Sequence, residues 1–409
     1  MPIISQIRQQ TDIPANVIHF NNAGASLPPR TVVAAMKDYL VQESRYGGYE
    51  VAADYSNELS GFYQEIATYL NARPDQIARA GSATSAFNRG ILGIQWEQGD
   101  VILTTKSDYI SNHLVFAQLR DKFGVVTEVI AEGNNGFDPA ELEQRLEAGK
   151  LPRLVSITHV PTNSGRIQDV ISAGKLCREY NVLYAVDACQ SAGQLPLDVQ
   201  EIQCDFLSAT FRKYLRGPRG IAFLYLSDRV LKDETITPLG LDSQGADWIG
   251  PDQYRLHRNA TRFEVWEESN VLKVGAAKAM AYLNEVGIGF IQERIQLLAG
   301  QLATALKSVD GLELHHVGGL AEDNSLATLR SKQKTGIHLM NVPGWQKSPD
   351  ELIAELRKRG LHATYSGMSH DQFHFREKNI DWALRLSVHY FNTEEEIERA
   401  VTILKEVIL

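Results

Sequence analysis

Between about residues 60 and 230 the chain repeats one pattern: a short, almost unbroken apolar run, then a stretch with helical spacing. The runs are Val101–Thr105, Val125–Ala131, Leu154–Val160, Leu183–Asp187, Asp205–Thr210 and Ile221–Leu226. Strands with one wet face alternate apolar and polar residues. These do not, so both faces must be covered, as in a mostly parallel sheet. Asp138–Ala148 and Asp169–Tyr180 repeat apolar residues at helical spacing and supply covering helices. The pattern predicts an α/β fold.

After about residue 265 the texture changes. Two adjoining helical segments, Val271–Val286 and Gly289–Val309, lead into an alternation of strands and helices. It runs through Leu312–His316, Gly336–Val342, Ser348–Arg359, Leu384–Val388 and Thr393–Val407. A chain of 409 residues predicts two domains, at roughly 100–200 residues each. The expected division is a large domain over 17–260 and a smaller α+β domain from 1–16 and 261–409. The second includes an opening helix near Ile3–Gln10.

The net charge of −9 argues against a general surface for nucleic acid or anionic membrane. No apolar run approaches the ~18 residues of a membrane span. The opening Met1–Pro14 segment shows no secretory pattern. Three cysteines, Cys177, Cys189 and Cys204, cannot form a fully paired framework, which fits a reducing compartment. The expected location is cytoplasmic.

Two of the apolar runs end in residues that carry chemistry. One is Tyr184-Ala-Val-Asp187-Ala-Cys-Gln190; the other, Phe206-Leu-Ser-Ala, leads into Thr210-Phe-Arg212-Lys213. The pair suits a pyridoxal phosphate site. That cofactor needs a lysine for its Schiff base, a carboxylate that keeps the pyridine nitrogen protonated, and a phosphate cradle. Lys213 takes the first role and, once released, carries the proton at the substrate α-carbon. Read alone, Lys213 with Arg212, Arg216 and Arg219 also fits a solvated basic loop or a phosphate or nucleic-acid patch. Asp187 ends an apolar strand, where a carboxylate is costly unless paired; a protonated ring nitrogen is such a partner. It could equally cap a loop. Gln190 could donate to the ring hydroxyl oxygen.

Ala80-Gly-Ser82-Ala83-Thr84-Ser-Ala-Phe-Asn88 puts small residues and hydroxyls at a helix start, where backbone N–H groups favour a phosphate. An ordinary Ser/Thr N-cap reads the same way. Thr210 and Arg212 would complete the cradle. Tyr109, in Ser107-Asp-Tyr-Ile-Ser-Asn112-His113, could stack on the cofactor ring or pack as a surface tyrosine. His370 and His374 stand at i, i+4, but no third ligand is near and no cysteine pair has zinc spacing. No metal is expected. The dipeptide His315-His316 reads as a surface pair.

With these pieces in place the chain resembles the class V aminotransferase family of fold-type I pyridoxal enzymes. Within it the likeness is to the branch of cysteine desulfurases, isopenicillin N epimerase and the ergothioneine-pathway C–S lyases. The resemblance runs from Phe20-Asn-Asn-Ala-Gly-Ala-Ser-Leu-Pro28 through the Ser82–Asn88 loop, His159-Val-Pro-Thr-Asn-Ser-Gly165, Val186–Gln190, the Lys213 loop and Arg262-Phe-Glu264. It ends in Arg385-Leu-Ser-Val-His-Tyr-Phe-Asn-Thr393. It implies a large domain with a mostly parallel sheet flanked by helices, and a smaller C-terminal α+β domain. By resemblance Lys213 carries the cofactor, Asp187 meets the pyridine nitrogen, Gln190 the ring hydroxyl and Tyr109 the ring face. Ala83, Thr84, Thr210 and Arg212 go to the phosphate. Arg385 matches the arginine that grips the substrate carboxylate by a bidentate pair, and Asn22-Ala23-Gly24 lines the substrate side. The Arg262–Asn270 stretch matches one that reaches across a two-fold interface but is a residue longer than the usual desulfurase spacing. A homodimer is implied.

One departure limits the activity. Cysteine desulfurases carry a nucleophilic cysteine on a loop before the carboxylate-binding arginine. Here that loop reads Thr364-Tyr-Ser-Gly-Met-Ser-His-Asp-Gln-Phe-His374, without cysteine. Cys189 and Cys204 read as small buried hydrophobes by core strands, and Cys177 falls in a helix. Arg45-Tyr-Gly-Gly-Tyr-Glu-Val-Ala-Ala53 and the long loop Lys213–Gly220 are similar to segments of the ergothioneine C–S lyases. The expected activity is a β-eliminating C–S lyase acting on a cysteine derivative or its sulfoxide, giving pyruvate and ammonia. Ser366–Arg376 would shape its pocket. Transamination, desulfuration and epimerisation are the alternatives within the family. A non-catalytic binding protein on the same fold is the alternative outside it.

Overall fold

A computed structural model describes residues 4–133, 136–315 and 334–408. Ile3 of the expected opening helix and His316 of the expected strand lie outside them.

The first sheet has seven strands: β1 (Ile77–Ala80), β2 (Val101–Thr105), β3 (Val126–Ile130), β4 (Leu154–Thr158), β5 (Leu183–Asp187), β6 (Phe206–Thr210) and β7 (Ala222–Leu226). Their spatial order is β1-β7-β6-β5-β4-β2-β3. Neighbours from β6 through β3 are parallel, and β7 runs antiparallel between β1 and β6. β2, β4, β5, β6 and β7 are buried at every position, the double coverage that their apolar runs required. β3 is the edge strand and is largely open on both faces.

Helices cover this sheet: α1 (Arg30–Tyr46), α2 (Ser56–Leu70), α3 (Ala83–Ile91), α4 (Ile110–Phe123), α5 (Pro139–Glu147), α6 (Val170–Glu179) and α7 (Asn270–Val286). Their starts are chemically marked. Ser82, Asp138, Asp169 and Ser269 each accept a backbone N–H of the first turn, which satisfies a donor that the helix itself leaves unpaired.

A second sheet is wholly antiparallel, in the order β10-β11-β13-β12. These strands are β10 (Glu313–Leu314), β11 (Ile337–Asn341), β12 (Thr364–Gly367) and β13 (Trp382–Ser387); a hairpin of β8 (Ala246–Gly250) and β9 (Gln253–Leu256) precedes them. Helices α8 (Ile288–Leu306), α9 (Pro349–Lys358) and α10 (Glu394–Ile408) pack on one face, where Leu302, Leu356 and Leu404 meet Met340, Leu384 and Leu386. Strand alternation turns Ala383 and Arg385 to the other face, where Ile337, Leu339 and Ala383 join the core beneath the first sheet. α7 packs on α1 and α2. Ile18 and Phe20 are buried with the second sheet, and Ile7 of the Ile4–Gln9 helix with the first. Among the described residues no helix is long and apolar enough to cross a membrane.

Candidate active site

The parallel strands deliver their C-terminal ends to one edge, the place where open α/β sheets bind ligands. Thr158, Asp187 and Ser208 lie side by side in register there. Asp187 is buried. Its Oδ1 accepts the Cys189 N–H at 2.8 Å and its Oδ2 the Asn112 Nδ2 at 3.4 Å. Burial pushes its pKa up, with the Cys189 hydrogen bonds and the charge of Lys213 acting against that shift. A carboxylate so placed favours a cationic or proton-bearing partner.

Lys213 follows β6 in a turn, buried, with Nζ 5.9 Å from the Tyr109 ring centroid. Burial pushes its amine below the ordinary range. Arg212 and Arg385 push the same way, while Cys189 and Asp187 act against them. A neutral amine is the nucleophilic form. The turn is pressed against the segment after Asp187 at Gly193, whose φ is +88°; a Cβ there would lie 2.3 Å from the Tyr214 carbonyl oxygen. Only glycine fits that approach.

Gln190 Nε2 donates to Thr162 Oγ1 at 2.9 Å and to the Ala23 carbonyl at 3.1 Å. Its Oε1 is buried with no partner among the described residues. Arg385 Nη1 donates to the same Thr162 hydroxyl at 2.5 Å, and its Nε is likewise buried without a partner. Burial lowers the Arg385 pKa to about 10. Residues 22–24 stitch these groups together. Asn22 is fully engaged, with Nδ2 on the Ser387 and His19 carbonyls and Oδ1 accepting Ser26 Oγ. Ala23 N donates to Ser387 Oγ at 2.9 Å, and the Gly24 carbonyl accepts the Arg212 guanidinium.

Ala83 and Thr84 form the first turn of α3, with Ser82 capping the Ser85 N–H at 3.0 Å. Gly81 beside them has open space where a side chain would stand. That helix start can take an anion. Thr210 is buried at the end of β6 opposite Ala222. The structure thus gathers Asp187, Gln190, Lys213, Tyr109 and Arg385 around one place. Arg212 is bound to Gly24, and Asn22 to the chain around it.

Two features differ from the sequence reading. Arg216 does not belong to a surface basic patch: it is buried, bonded to Leu27, Thr11 and Tyr390. Cys189 is not a core hydrophobe like Cys177 and Cys204. It keeps partial exposure, and its backbone N–H donates to Asp187 Oδ1 at 2.8 Å. Glu264 accepts the Arg79 N–H at 2.7 Å and Glu268 pairs with the Arg79 guanidinium, which ties the stretch after Arg262 to β1. Sequence reasoning missed Asp108 and Thr162. Thr162 lay inside the His159–Gly165 motif; Asp108 had only its place beside Tyr109 as a signal. His374 is held by carboxylates, with Nε2 3.1 Å from Glu132 and Nδ1 3.1 Å from Asp371.

A family model for aminotransferase class-V matches residues 18–400. A protein of Methanothermobacter thermautotrophicus described as "Probable cysteine desulfurase" is 26% identical over 408 residues, spanning 98% of this chain and 97% of its own. The apo cysteine desulfurase from Thermococcus onnurineus NA1 superposes with a TM-score of 0.87 at 24% identity, over 100% of this chain and 98% of that one. The cystine C–S lyase C-DES, in complex with its product cysteine persulfide, gives 0.82 at 20% identity over 96% and 98%. At these identities the two structures speak to the fold alone.

Proposed function

The chain belongs to the class-V aminotransferase family, and from that premise we propose a pyridoxal-phosphate lyase that breaks the carbon–sulfur bond of a cysteine derivative or its sulfoxide. The cofactor is pyridoxal 5'-phosphate. When bound it supplies the electron sink for the pair left behind as the α-proton departs. Lys213 would hold it covalently, Asp187 would meet the ring nitrogen, Gln190 the ring hydroxyl and Tyr109 the ring face. Ala83, Thr84 and Thr210 would face the phosphate, joined by Arg212 on leaving the Gly24 carbonyl. Two observations support the fit: with Gln190 Nε2 engaged by Thr162 and the Ala23 carbonyl, its buried Oε1 lacks a donor and would accept from the ring hydroxyl, the reverse of the direction expected from the sequence, and space is open at Gly81.

Arg385 would hold the substrate carboxylate through its Nε side, since Nη1 is engaged by Thr162. The Lys213 Nζ, its basicity lowered by burial, would take the α-proton. The Cα–H and Cβ–S bonds break, sulfur leaves with its electron pair and gains a proton, and water completes pyruvate and ammonia. Asn22 and Ala23 border this side through Ser387. We read the enzyme as a homodimer, because Leu239, Trp248, Ile249, Tyr254 and Trp266 leave large apolar side chains exposed between residues 239 and 266; such clustering marks interaction surfaces.

The observation that favours elimination over desulfuration is the absence of cysteine from Thr364–His374. The thiol beside the site, Cys189, is held protonated by burial, which pushes its pKa up. Desulfuration is the second reading, favoured by the relative's description. Mass spectrometry of products from cysteine, cystine, cysteine S-conjugates and their sulfoxides tests both. Pyruvate with ammonia supports the lyase. Alanine would overturn it in favour of desulfuration, and a keto acid with its sulfur substituent intact would mean transamination.

A further inference from the structure

We propose that Asp108 is a positioning residue for Asp187: through Asn112 it fixes the orientation of that carboxylate and sets a second negative charge behind it. The inference rests on the assignment of Asp187 to the cofactor ring nitrogen.

Asp108 lies in the turn after β2, 6% exposed. Its Oδ2 accepts Thr104 Oγ1 at 2.6 Å and Ser156 Oγ at 3.0 Å. Its Oδ1 accepts Thr158 Oγ1 at 2.5 Å, the Tyr109 N–H at 2.7 Å and Asn112 Nδ2 at 2.8 Å. Three hydroxyls, a backbone N–H and a carboxamide compensate one buried carboxylate. A helix start needs far less, since an exposed Ser82 is sufficient for α3.

The outward link is Asn112, itself 2% exposed. Its Nδ2 lies 2.8 Å from Asp108 Oδ1 and 3.4 Å from Asp187 Oδ2. Asp187 Oδ1 is held from the other side by the Cys189 N–H. Each oxygen of Asp187 therefore has a donor from a different element, and the carboxylate cannot turn without breaking one of them. The same Asp108 oxygen holds the Tyr109 backbone, so one residue sets both the ring-face group and the ring-nitrogen group.

The charge acts in a definite direction. Groups facing Asp187 are Cys189 from its own strand end, Lys213 from the turn after β6, and Asp108, Tyr109 and Asn112 from the turn after β2 and the start of α4. Lys213 makes Asp187 a weaker base, and Asp108 makes it a stronger one. A stronger base at this position keeps its partner nitrogen protonated over a wider pH range.

The test uses the purified full chain loaded with pyridoxal phosphate labelled with nitrogen-15 in the ring. Asp108→Asn and Asn112→Ala are compared with the parent by ring-nitrogen chemical shift against pH and by cofactor dissociation constant. Removing the charge should lower the ring-nitrogen pKa by about one unit and weaken cofactor binding about tenfold. Asn112→Ala removes a donor to Asp187 but no charge, so it should weaken cofactor binding by about threefold through the freed carboxylate without lowering the ring-nitrogen pKa. If Asp108→Asn does not fold, Asn112→Ala decides. Unchanged titration and binding within twofold of the parent in a folded variant would overturn the proposal. An Asp187→Asn control separates the two assignments. If it alone loses the ring-nitrogen proton, Asp187 keeps its role and Asp108 does not. A protonated ring in that control would instead remove the assignment of Asp187.

Discussion

Gln190 and Arg385 meet on one atom, the Thr162 hydroxyl oxygen, at 2.9 and 2.5 Å. Gln190 follows the strand that ends in Asp187, and Arg385 stands on the second sheet. A single side chain on the loop after β4 thus joins the ends proposed for cofactor and for substrate. The engaged Nη1 also leaves Arg385 its Nε edge, a side-on fork that matches the two oxygens of a carboxylate.

Replacing Thr162 with Val removes that shared acceptor while keeping the shape. Arg385 then swings free, so KM for the amino acid should rise about tenfold with kcat changed less, as loss of uniform binding predicts. Thr162→Ser should restore most of it. Arg385→Lys should cost roughly 10–100-fold in kcat/KM, because a point charge cannot reproduce the fork. Steady-state kinetics on the best substrate measures both, and an unchanged KM in Thr162→Val would refute the coupling.

Lys213→Ala removes the amine that lies 5.9 Å from the Tyr109 ring. The purified variant should lose the yellow colour of the covalently held cofactor, and turnover should fall by roughly 10²–10⁴-fold, the usual contribution of a positioned acid–base group. Full activity in a colourless variant would reassign the role.

His374 ties the segment before Arg385 to the rim of the first sheet. Burial opposes its positive charge, but hydrogen bonds to Asp371 and Glu132 outweigh this and hold its pKa at about 9, above the ordinary 6.5. Because the folded value is raised, the stabilisation is complete below about 6.5 and is lost as pH rises through about 9. Asn163, donating to the His370 carbonyl at 3.0 Å, and a Lys106–Glu377 pair hold the same segment. The melting-temperature gap between parent and His374→Gln should be widest at the acid end of this window and close toward its alkaline end. A gap that stays constant across the window would sink the argument.

The parallel sheet was legible because both-face burial leaves apolar runs with little polar interruption; Leu183–Asp187 has the same limits in sequence and in space. β1 was not read, because Arg79 sits in the middle of Ile77–Ala80 and is compensated by Glu264 and Glu268, nearly two hundred residues away. The β8–β9 hairpin escaped for the opposite reason. Trp248 and Tyr254 are exposed, so no alternation toward a core marks it. In the site, residues at strand ends could be read from the strands themselves. Asp108 and Thr162 could not, since their importance lies in partners on other elements. The buried Cys177 and Cys204 follow composition rules, whereas Cys189 departs from them because the chain turns at Asp187 and leaves it at the site.

Arg216 gives the most direct test of how the lysine turn is held. Its guanidinium donates to the Leu27 carbonyl at 2.8 Å, the Tyr390 hydroxyl at 2.8 Å and Thr11 Oγ1 at 2.6 Å, and it lies 4.4 Å from the Phe391 ring centroid. Its own N–H bonds the Lys213 carbonyl at 3.0 Å, and its φ of +56° is unfavourable for a side chain of this size. The turn keeps that conformation because the side chain binds the N-terminal and C-terminal segments together. Arg216→Met should therefore lower stability by about 1–3 kcal/mol, since it leaves the buried Tyr390 and Thr11 oxygens and the partly buried Leu27 carbonyl without this donor. It should also loosen the turn, so cofactor is lost faster on dialysis than from the parent. Arg216→Lys should recover little, because one ammonium cannot reach three acceptors and stack on Phe391 at once. Urea midpoints and cofactor off-rates measure the two effects separately. A destabilised variant that kept its cofactor as firmly as the parent would show that the clamp serves the fold and not the lysine turn.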